Sequence, residues 1–191
     1  MKAILIDTTS SNLCVVIVDG EKTVSSVQAV GKTGHSKVLM TSIDALLLKS
    51  GLKIDDIDTI GVVVGPGSFT GIRIGVATAT ALAFSLNAKR IAVTSFELLA
   101  YSMSKCEVAV DAGHGNLYVA ECEYGKVVST RFIDGDEAKV VDRNSFLFEC
   151  EQDVASTFAS IAKDKVTKGE YVNVFEPYYM RKSQAEREKD L

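Results

Sequence analysis

Apolar residues recur along the first half of the chain with two different periods. Short apolar runs bounded by turn residues predict strands. These runs are AILID (3–7), LCVVIVDG (13–20), TVSSVQAV (23–30), TIGVVVG (59–65) and RIAVTS (90–95). Two longer stretches, 36–51 and 71–86, repeat their apolar positions at helical spacing. On the first helix the inward side chains are expected to be Leu39, Ile43, Leu46 and Leu47. This order predicts a mixed sheet with helices packed on it, which is an α/β fold.

The second half of the chain opens with the same strand pattern. Its predicted strands cover residues 106–111, 117–125 and 126–133. At one constant offset the matching residues are Asp7 and Asp111, Asn12 and Asn116, Leu13 and Leu117, Val15 and Val119, Lys22 and Lys126, Val24 and Val128, Ser25 and Ser129, Ser26 and Thr130. The matches indicate a duplicated unit, and the alternative is a chance alignment of two strand-rich segments. Duplication predicts two lobes, over 1–103 and 104–191, that meet at a cleft suited to a ligand.

The second predicted lobe is the thinner of the two. Beyond its strands, the pattern predicts a helix over 154–163, capped by Asp153, and a short strand over 171–175. The last residues, RKSQAEREKDL (181–191), are rich in charge and predict a solvated tail.

The composition is that of an ordinary globular protein, and it argues against several functions. Hydrophobic residues make up 47% of the chain and charged residues 24%, which allows a sizeable core. The net charge is −4, so we expect a partner protein to make most of the contacts with any RNA. The four cysteines and two histidines lack metal-ligand spacing, which favours reduced thiols in a cytoplasmic protein over a zinc site. We also expect no signal peptide and no membrane span.

The glycine-rich segment GPGSFTGIRIG (65–75) follows a predicted strand and raises the question of a phosphate site. A Walker-type loop needs a lysine after its last glycine, but no lysine occurs between Lys53 and Lys89. The dinucleotide pattern GxGxxG fails as well, because Thr70 stands at its third glycine. We therefore expect a tight turn over 65–68, with a weak anion site left open at the start of the next helix.

Small residues recur every four positions from this segment into the helix, at Gly67, Gly71, Gly75, Ala79 and Ala83. Such a stripe lets another backbone approach closely. The only charged residue from Gly71 to Leu86 is Arg73, so we expect both sides of the helix to be covered. The second cover is either the first helix or a partner chain. Partner contacts are predicted at Leu39, Ile43, Leu46, Leu47, Gly71, Ile72, Gly75, Val76 and Ala79.

The alternative is that both helices belong to the internal core of the chain. A bulky Gly75→Leu substitution separates the two interpretations. It is expected to block partner binding if the stripe meets a partner, and to unfold the chain if the stripe packs internally.

Two strand-end aspartates, Asp7 and Asp111, suggest a nucleotide cleft. In the two-lobed superfamily that contains actin, heat-shock chaperones and sugar kinases, such aspartates flank the phosphates, and their turns carry glycine. Here the first turn has Thr8 and Thr9 without glycine, whereas the second has Gly113. These five residues therefore predict a weak or relic nucleotide cleft. The alternative is that both aspartates only stabilise their own turns by Asx hydrogen bonds.

Several segments resemble the bacterial TsaB family, also called YeaZ. The resemblance is carried by GPGSFTGIRIGVATATALA, IDTTSSNLCVVIVDG, HSKVLMTSIDALL, VTSFELLA, VDAGHGNLYVA and EPYYMR. It covers roughly residues 1–125 and 176–181. The hairpin of the second lobe departs from the family pattern at Gly113 and Asn116, where the family usually has arginine and glutamate.

The resemblance implies an actin-like fold of the ASKHA superfamily with an RNase H-like duplication, in which each lobe is a mixed sheet flanked by helices. It implies a non-catalytic part in threonylcarbamoyl transfer to N6 of the adenosine next to the anticodon, in tRNAs that read codons starting with A. The implied partners are the catalytic subunit TsaD, bound through the first two helices, and the ATPase TsaE. Self-dimerisation in isolation and tRNA contact only through the complex are also implied. No cofactor is implied for the chain alone, and ATP or ADP at the assembly with TsaD is left open.

Two other functional classes make different predictions. An ATP-dependent phosphotransferase of the same fold would use Asp7 and Asp111 and would bind nucleotide as an isolated chain. A metallopeptidase-like activity would need metal ligands that the sequence does not display.

Overall fold

The computed structural model describes residues 1–30, 34–142, 145–148 and 153–181. Eight strands form two sheets in this part of the chain. They are β1 (Lys2–Asp7), β2 (Asn12–Asp19), β3 (Lys22–Ala29), β4 (Thr59–Val63), β5 (Lys89–Val93), β6 (Lys105–Gly113), β7 (Asn116–Glu123) and β8 (Lys126–Ile133). The α-helices are α1 (His35–Ser50), α2 (Phe69–Ser85), α3 (Ser95–Ala100) and α4 (Val154–Lys168). The predicted strands and helices up to Ile133 are confirmed in order and type, and α3 is an addition.

The first sheet is mixed, as the sequence predicts, with strand order β3-β2-β1-β4-β5. The first three strands form an antiparallel meander, and β4 and β5 add to β1 in parallel. The central strands β1 and β4 are almost wholly buried. A strand buried on both faces reads as a continuous apolar run rather than an alternating one. This explains why the runs AILI (3–6) and IGVV (60–63) are apolar throughout.

Helices cover both faces of the first sheet. Helices α1 and α2 share one core with the sheet, which contains Ile4, Ile6 and Val15. On the opposite face, Leu5 and Val16 pack against Phe158 and other residues of α4. Helix α4 therefore packs on the first sheet, whereas the sequence division at 103/104 places it in the second lobe. The reason is that α1 and α2 cover the other face, which leaves this face to the apolar side of α4 and to Leu98 of α3.

The second sheet repeats the opening meander in the order β6-β7-β8. The pairings between these three strands are antiparallel. An isolated parallel bridge joins Val108 to Leu147, which lies outside the strands. The duplication is thus visible as two three-stranded meanders, each with an aspartate at the end or near the end of its first strand. The described part of the second lobe differs from the expected mixed sheet with its own helices. One face of its sheet instead packs on α3, through Phe96 and Leu99.

The predicted strand over 171–175 is wrong. The C-terminal residues form a segment without regular secondary structure, and the chain bends at 173–174. One backbone hydrogen bond, from Val172 N to Arg90 O, joins this segment to β5, and Lys89 of the same strand contacts Tyr171. The segment then crosses the molecule. Phe175 is buried in the core of the first lobe, and Met180 packs against the core between α3 and the second sheet.

Helix α4 is longer than predicted but begins where the sequence indicates. The side chain of Asp153 accepts a hydrogen bond from Ser156 N, which is the expected N-cap. Cys14 and Cys122 are buried, as their apolar strands suggest. The expected solvated tail from residue 182 onward and the fourth cysteine, Cys150, lie outside the described residues.

Candidate functional site

The glycine-rich segment packs directly on the turn that follows β1. A methyl group added to Gly71 would collide with the carbonyl oxygen of Thr8, and one added to Gly75 would collide with the Thr8 hydroxyl. At Gly67, which has φ of +157°, an added Cβ would meet the carbonyl oxygen of Thr9. The small residues therefore let α2 approach the backbone of this same chain. The internal-packing interpretation holds for these glycines, and Gly75→Leu is expected to disturb the fold rather than to report on a partner.

Hydrogen bonds fasten this contact. The Thr8 hydroxyl donates to Gly71 O at 2.7 Å, and Ser68 N donates to Thr9 O at 2.6 Å. On the other side of the turn, the Ser95 hydroxyl donates to Pro66 O at 2.7 Å. Ser68 also caps α2 by accepting from Gly71 N. The turn over 65–68 thus makes hydrogen bonds to its own chain, and a weak anion site at the start of α2 stays a prediction.

The carboxylate of Asp7 is enclosed by the same contact. Its side chain is only 4% exposed and accepts hydrogen bonds from Thr9 N at 2.8 Å and from the Thr9 hydroxyl at 2.7 Å. Burial raises the pKa of Asp7 above the ordinary value of 3.8, and the two hydrogen bonds from Thr9 oppose that rise. Asp7, Thr8 and Thr9 are therefore occupied by their own chain.

The corresponding residue of the second lobe has a different environment. Asp111 is exposed, and its carboxylate accepts a hydrogen bond from Gly113 N at 2.7 Å. Both aspartates thus form the Asx turns given as the alternative to a nucleotide site. A Cβ added at Gly113 would meet no atom within 4 Å. The turn after β1, where Thr8 contacts Gly71, lacks such space.

The side chains predicted to contact a partner all face inward. Each of the residues Leu39, Ile43, Leu46, Leu47, Gly71, Ile72, Gly75, Val76 and Ala79 is buried within the chain. The sequence argument identified the packed face of each helix, because apolar periodicity reports burial without saying what lies on the other side. A partner-binding role for α1 and α2 stays a prediction, and it would use other side chains.

The outward face of these helices is unusual for a surface. On α2 it carries Arg73, Ala77, Thr80 and Phe84, and no charged residue occurs between Ile74 and Ser85. Phe84 is 82% exposed. On α1, Leu48 is 84% exposed and Met40 is also exposed. The signal for this surface was present in the sequence: Leu48 lies outside the packed arc of α1, and the charge-free run of α2 is longer than one buried face requires.

Other ligand classes find little support in the described part of the chain. There, no group of three or more His, Cys, Asp or Glu side chains is placed to hold a metal ion. None of the helices described combines the length and the apolar character that crossing a membrane requires. An open polar hollow between the β6–β7 turn and the start of the segment after β8 is lined by His114, Asp134 and Lys139 among others.

Comparison with protein families matches residues 29–147 to the model described as "TsaD: tRNA N6-adenosine threonylcarbamoyltransferase". Two curated relatives are both described as "tRNA threonylcarbamoyladenosine biosynthesis protein TsaB". The protein from Haemophilus influenzae is 31% identical over 129 residues, covering 63% of this chain and 54% of its own length. The protein from Bacillus subtilis is 28% identical over 158 residues, covering 81% and 69%. The match to the Haemophilus relative thus spans about half of that protein.

Among solved structures, YeaZ from Pseudomonas aeruginosa superposes with a TM-score of 0.78 at 20% sequence identity. The superposition covers 94% of this chain and 99% of the Pseudomonas chain. The fold is therefore the one found in that protein, and the predicted actin-like α/β architecture is confirmed.

Proposed function

We propose that this chain, which belongs to the TsaB (YeaZ) family, is a non-catalytic subunit that binds and activates TsaD. The assembly would transfer a threonylcarbamoyl group to N6 of the adenosine next to the anticodon, in tRNAs that read codons starting with A. The relatives' names motivate the reaction, since they are described as tRNA threonylcarbamoyladenosine biosynthesis proteins. The partner is motivated by the family model, which is that of the transferase itself.

One observation carries the role as a binding subunit: the outward face of α2 is uncharged between Arg73 and its end, and it presents Phe84 to solvent. Aromatic side chains, phenylalanine among them, are enriched at protein interfaces. Leu48 and Met40 are exposed apolar side chains of α1, the helix that contacts α2. We call the surface formed by Met40, Leu48, Ala77, Thr80 and Phe84 the α1–α2 face.

The non-catalytic part of the proposal rests on the state of Asp7. A catalytic carboxylate must reach its substrate, but Asp7 is enclosed, and its oxygen Oδ1 accepts hydrogen bonds from Thr9. The turn that would cradle a phosphate is filled by the contact between Thr8 and Gly71. This arrangement disfavours an ATP-dependent phosphotransferase, because a nucleotide would have to displace part of the core.

Several finer statements belong to the same proposal. TsaE is expected to join the assembly, and tRNA to be held through the complex rather than by this acidic chain alone. In isolation the chain is expected to form homodimers through the α1–α2 face, in the cytoplasm. ATP or ADP, if bound at all, would bind at the assembly with TsaD.

Binding to TsaD from the same source, measured by calorimetry, tests the proposal. Phe84→Asp places a charge in the α1–α2 face, and we expect a loss of affinity of about 30-fold or more, as for an aromatic anchor. Tyr124→Asp is the matched control, because Tyr124 is 83% exposed and lies at the β7–β8 turn. It should bind as the unaltered chain does. Equal affinities for the two variants would contradict the proposed binding face.

A second calorimetric titration, with ATP, distinguishes the proposed non-catalytic subunit from an ATP-dependent phosphotransferase. The isolated chain is expected to show no heat of ATP binding at micromolar concentration. Micromolar binding that Asp7→Asn abolishes would favour the phosphotransferase instead.

A further inference from the structure

The one charged side chain of α2 is held in a fixed position at the edge of the α1–α2 face. The Arg73 guanidinium carbon lies 3.9 Å from the centroid of the Phe69 ring. Its Nε donates a hydrogen bond to the hydroxyl of Tyr179 at 3.2 Å. The rings of Phe69 and Tyr179 in turn contact each other, with centroids 4.6 Å apart. Stacking and the hydrogen bond together restrict a side chain that is otherwise long and flexible.

The positive charge of Arg73 has no acidic counterpart in the described part of the chain. The ion pairs found there involve other residues, and none includes Arg73. The hydrogen bond to Tyr179 uses Nε, which leaves the two terminal amino groups of the guanidinium without a described protein acceptor. Arg73 is also exposed. The site is therefore a donor pair that is positioned by aromatic rings and faces solvent.

Arg73 lies on the same outward stripe as the aromatic anchor of the face. On an α-helix, positions 73, 77, 80 and 84 point in nearly the same direction, because each step is close to a whole number of turns. All four are exposed. Eleven residues at about 1.5 Å each put Arg73 about 16 Å from Phe84 along the axis. A protein that covers Phe84 and follows α2 toward its N-terminus would meet Arg73 next.

We propose that Arg73 is a preset receptor for a carboxylate of the protein that docks on the α1–α2 face. This rests on the proposed function, in which that protein is TsaD. A carboxylate matches the fork of guanidinium donors with two parallel hydrogen bonds, whereas a lysine offers only a point charge. Tyr179 is a positioning residue in this site. It comes from the C-terminal segment and fixes the guanidinium without meeting the partner's carboxylate itself.

A carboxylate fits the surroundings better than an RNA phosphate does. A surface that tracks an RNA backbone gathers several cations. The outward stripe of α2 carries a single one, set beside alanine, threonine and phenylalanine. The chain as a whole has a net charge of −4. A single oriented cation at the rim of an apolar patch is the arrangement that gives register and specificity between two proteins.

The test measures TsaD affinity for a set of variants, without RNA, at two salt concentrations. Arg73→Gln is expected to weaken binding about 10-fold or more at low salt, with a smaller difference at high salt. Arg73→Lys should recover only a minor part of the loss, because it lacks the fork. Lys126→Gln removes one charge from an exposed site on β8 and should bind within about 2-fold of the unaltered chain.

The positioning role of Tyr179 is tested by a double-mutant cycle. Tyr179→Phe keeps the ring but removes the hydroxyl, and it should weaken binding in the unaltered chain by about 3-fold. In the Arg73→Gln background it should have no effect. A merely structural tyrosine would give the same loss in both backgrounds, and that result would overturn the positioning role.

Two outcomes overturn the carboxylate receptor. One is unchanged TsaD affinity for Arg73→Gln while Phe84→Asp loses binding, which leaves the proposed function intact. The other is unchanged TsaD affinity together with weaker tRNA retention by the assembled complex, which would assign Arg73 to RNA. Retained binding by Phe84→Asp would instead contradict the proposed function itself.

Discussion

Thr8 determines which residues the glycine-rich segment can carry. Its carbonyl oxygen occupies the space where a side chain at position 71 would begin, and its hydroxyl donates to Gly71 O. The sequence showed that small residues recur at helical spacing, and it predicted a close contact for them. It could not identify the contact, because Thr8 and Gly71 are far apart in the chain. The structure shows that the contact lies inside the protomer.

Asp7 gives a prediction in pH. Burial raises the pKa of its carboxyl in the folded chain above the ordinary value of 3.8. Between these two pKa values the folded state binds more protons than the unfolded state, so stability falls as pH rises through that window and stays lower above it. The Asp7→Asn variant has no carboxyl group to ionise at this position. In thermal melts from pH 4 to pH 8, its Tm should therefore rise relative to that of the unaltered chain.

The expected result is that the Tm of Asp7→Asn, relative to that of the unaltered chain, is higher at pH 8 than at pH 4. The reference is the difference between the two proteins at pH 4, which removes the contribution of all other groups. A difference that shrinks or changes sign as the pH rises would refute the assignment.

At the scale of elements, α2 is held by the turn after β1. Replacing a helical glycine by alanine normally stabilises a helix by about 1 kcal/mol. At Gly71 the added methyl group meets backbone, which cannot rotate away. We therefore expect Gly71→Ala to lower the free energy of unfolding by at least about 2 kcal/mol, measured by urea denaturation.

The exposed helix position Thr80 provides the comparison for this prediction. Thr80→Ala should raise stability by a few tenths of a kcal/mol, as propensity alone requires. A stabilising Gly71→Ala would mean that α2 does not lie against Thr8.

The strands and helices that the sequence predicted well are those with strong periodicity and clear ends. Helix α1 stops at a left-handed Gly51, and α4 starts at the Asp153 cap. The predicted strand over 171–175 is wrong because its apolar residues pack against the first lobe without pairing in a β-ladder. Phe175 fills the core while the neighbouring Val174 is exposed. Composition alone cannot distinguish a strand from a segment whose apolar side chains pack on the core without a ladder of hydrogen bonds.

At the scale of the whole molecule, the C-terminal segment ties the two lobes together. Tyr178 N donates to Val64 O at the end of β4, and Arg181 stacks over Phe132 of β8 at 3.9 Å. Between them, Tyr179 joins Phe69 beside the start of α2. The sequence predicted two lobes from the repeated meander. It could not predict that α4 and this segment return to the first lobe, because those contacts join distant parts of the chain.

The sequence predicted that α1 and α2 bind a partner, and that role stays a prediction. An amphipathic pattern reveals which residues are buried, and it was read as the partner contact. The residues now proposed for docking are the exposed ones, such as Leu48 and Phe84, which lie outside the packed faces of the two helices. The same limit applies to Arg73, whose contact with Tyr179 joins residues that are 106 positions apart in the chain.

The most direct test of the account is reconstituted tRNA modification. Purified TsaD, TsaE, tRNA and a threonylcarbamoyl donor are combined with this chain or a variant, and modified adenosine is measured by mass spectrometry. We predict that product formation requires this chain, is retained with Asp7→Asn and Tyr124→Asp, and is lost with Phe84→Asp. Loss of product with Asp7→Asn, in a complex that still assembles, would show that the chain takes part in the chemistry and would contradict the central claim.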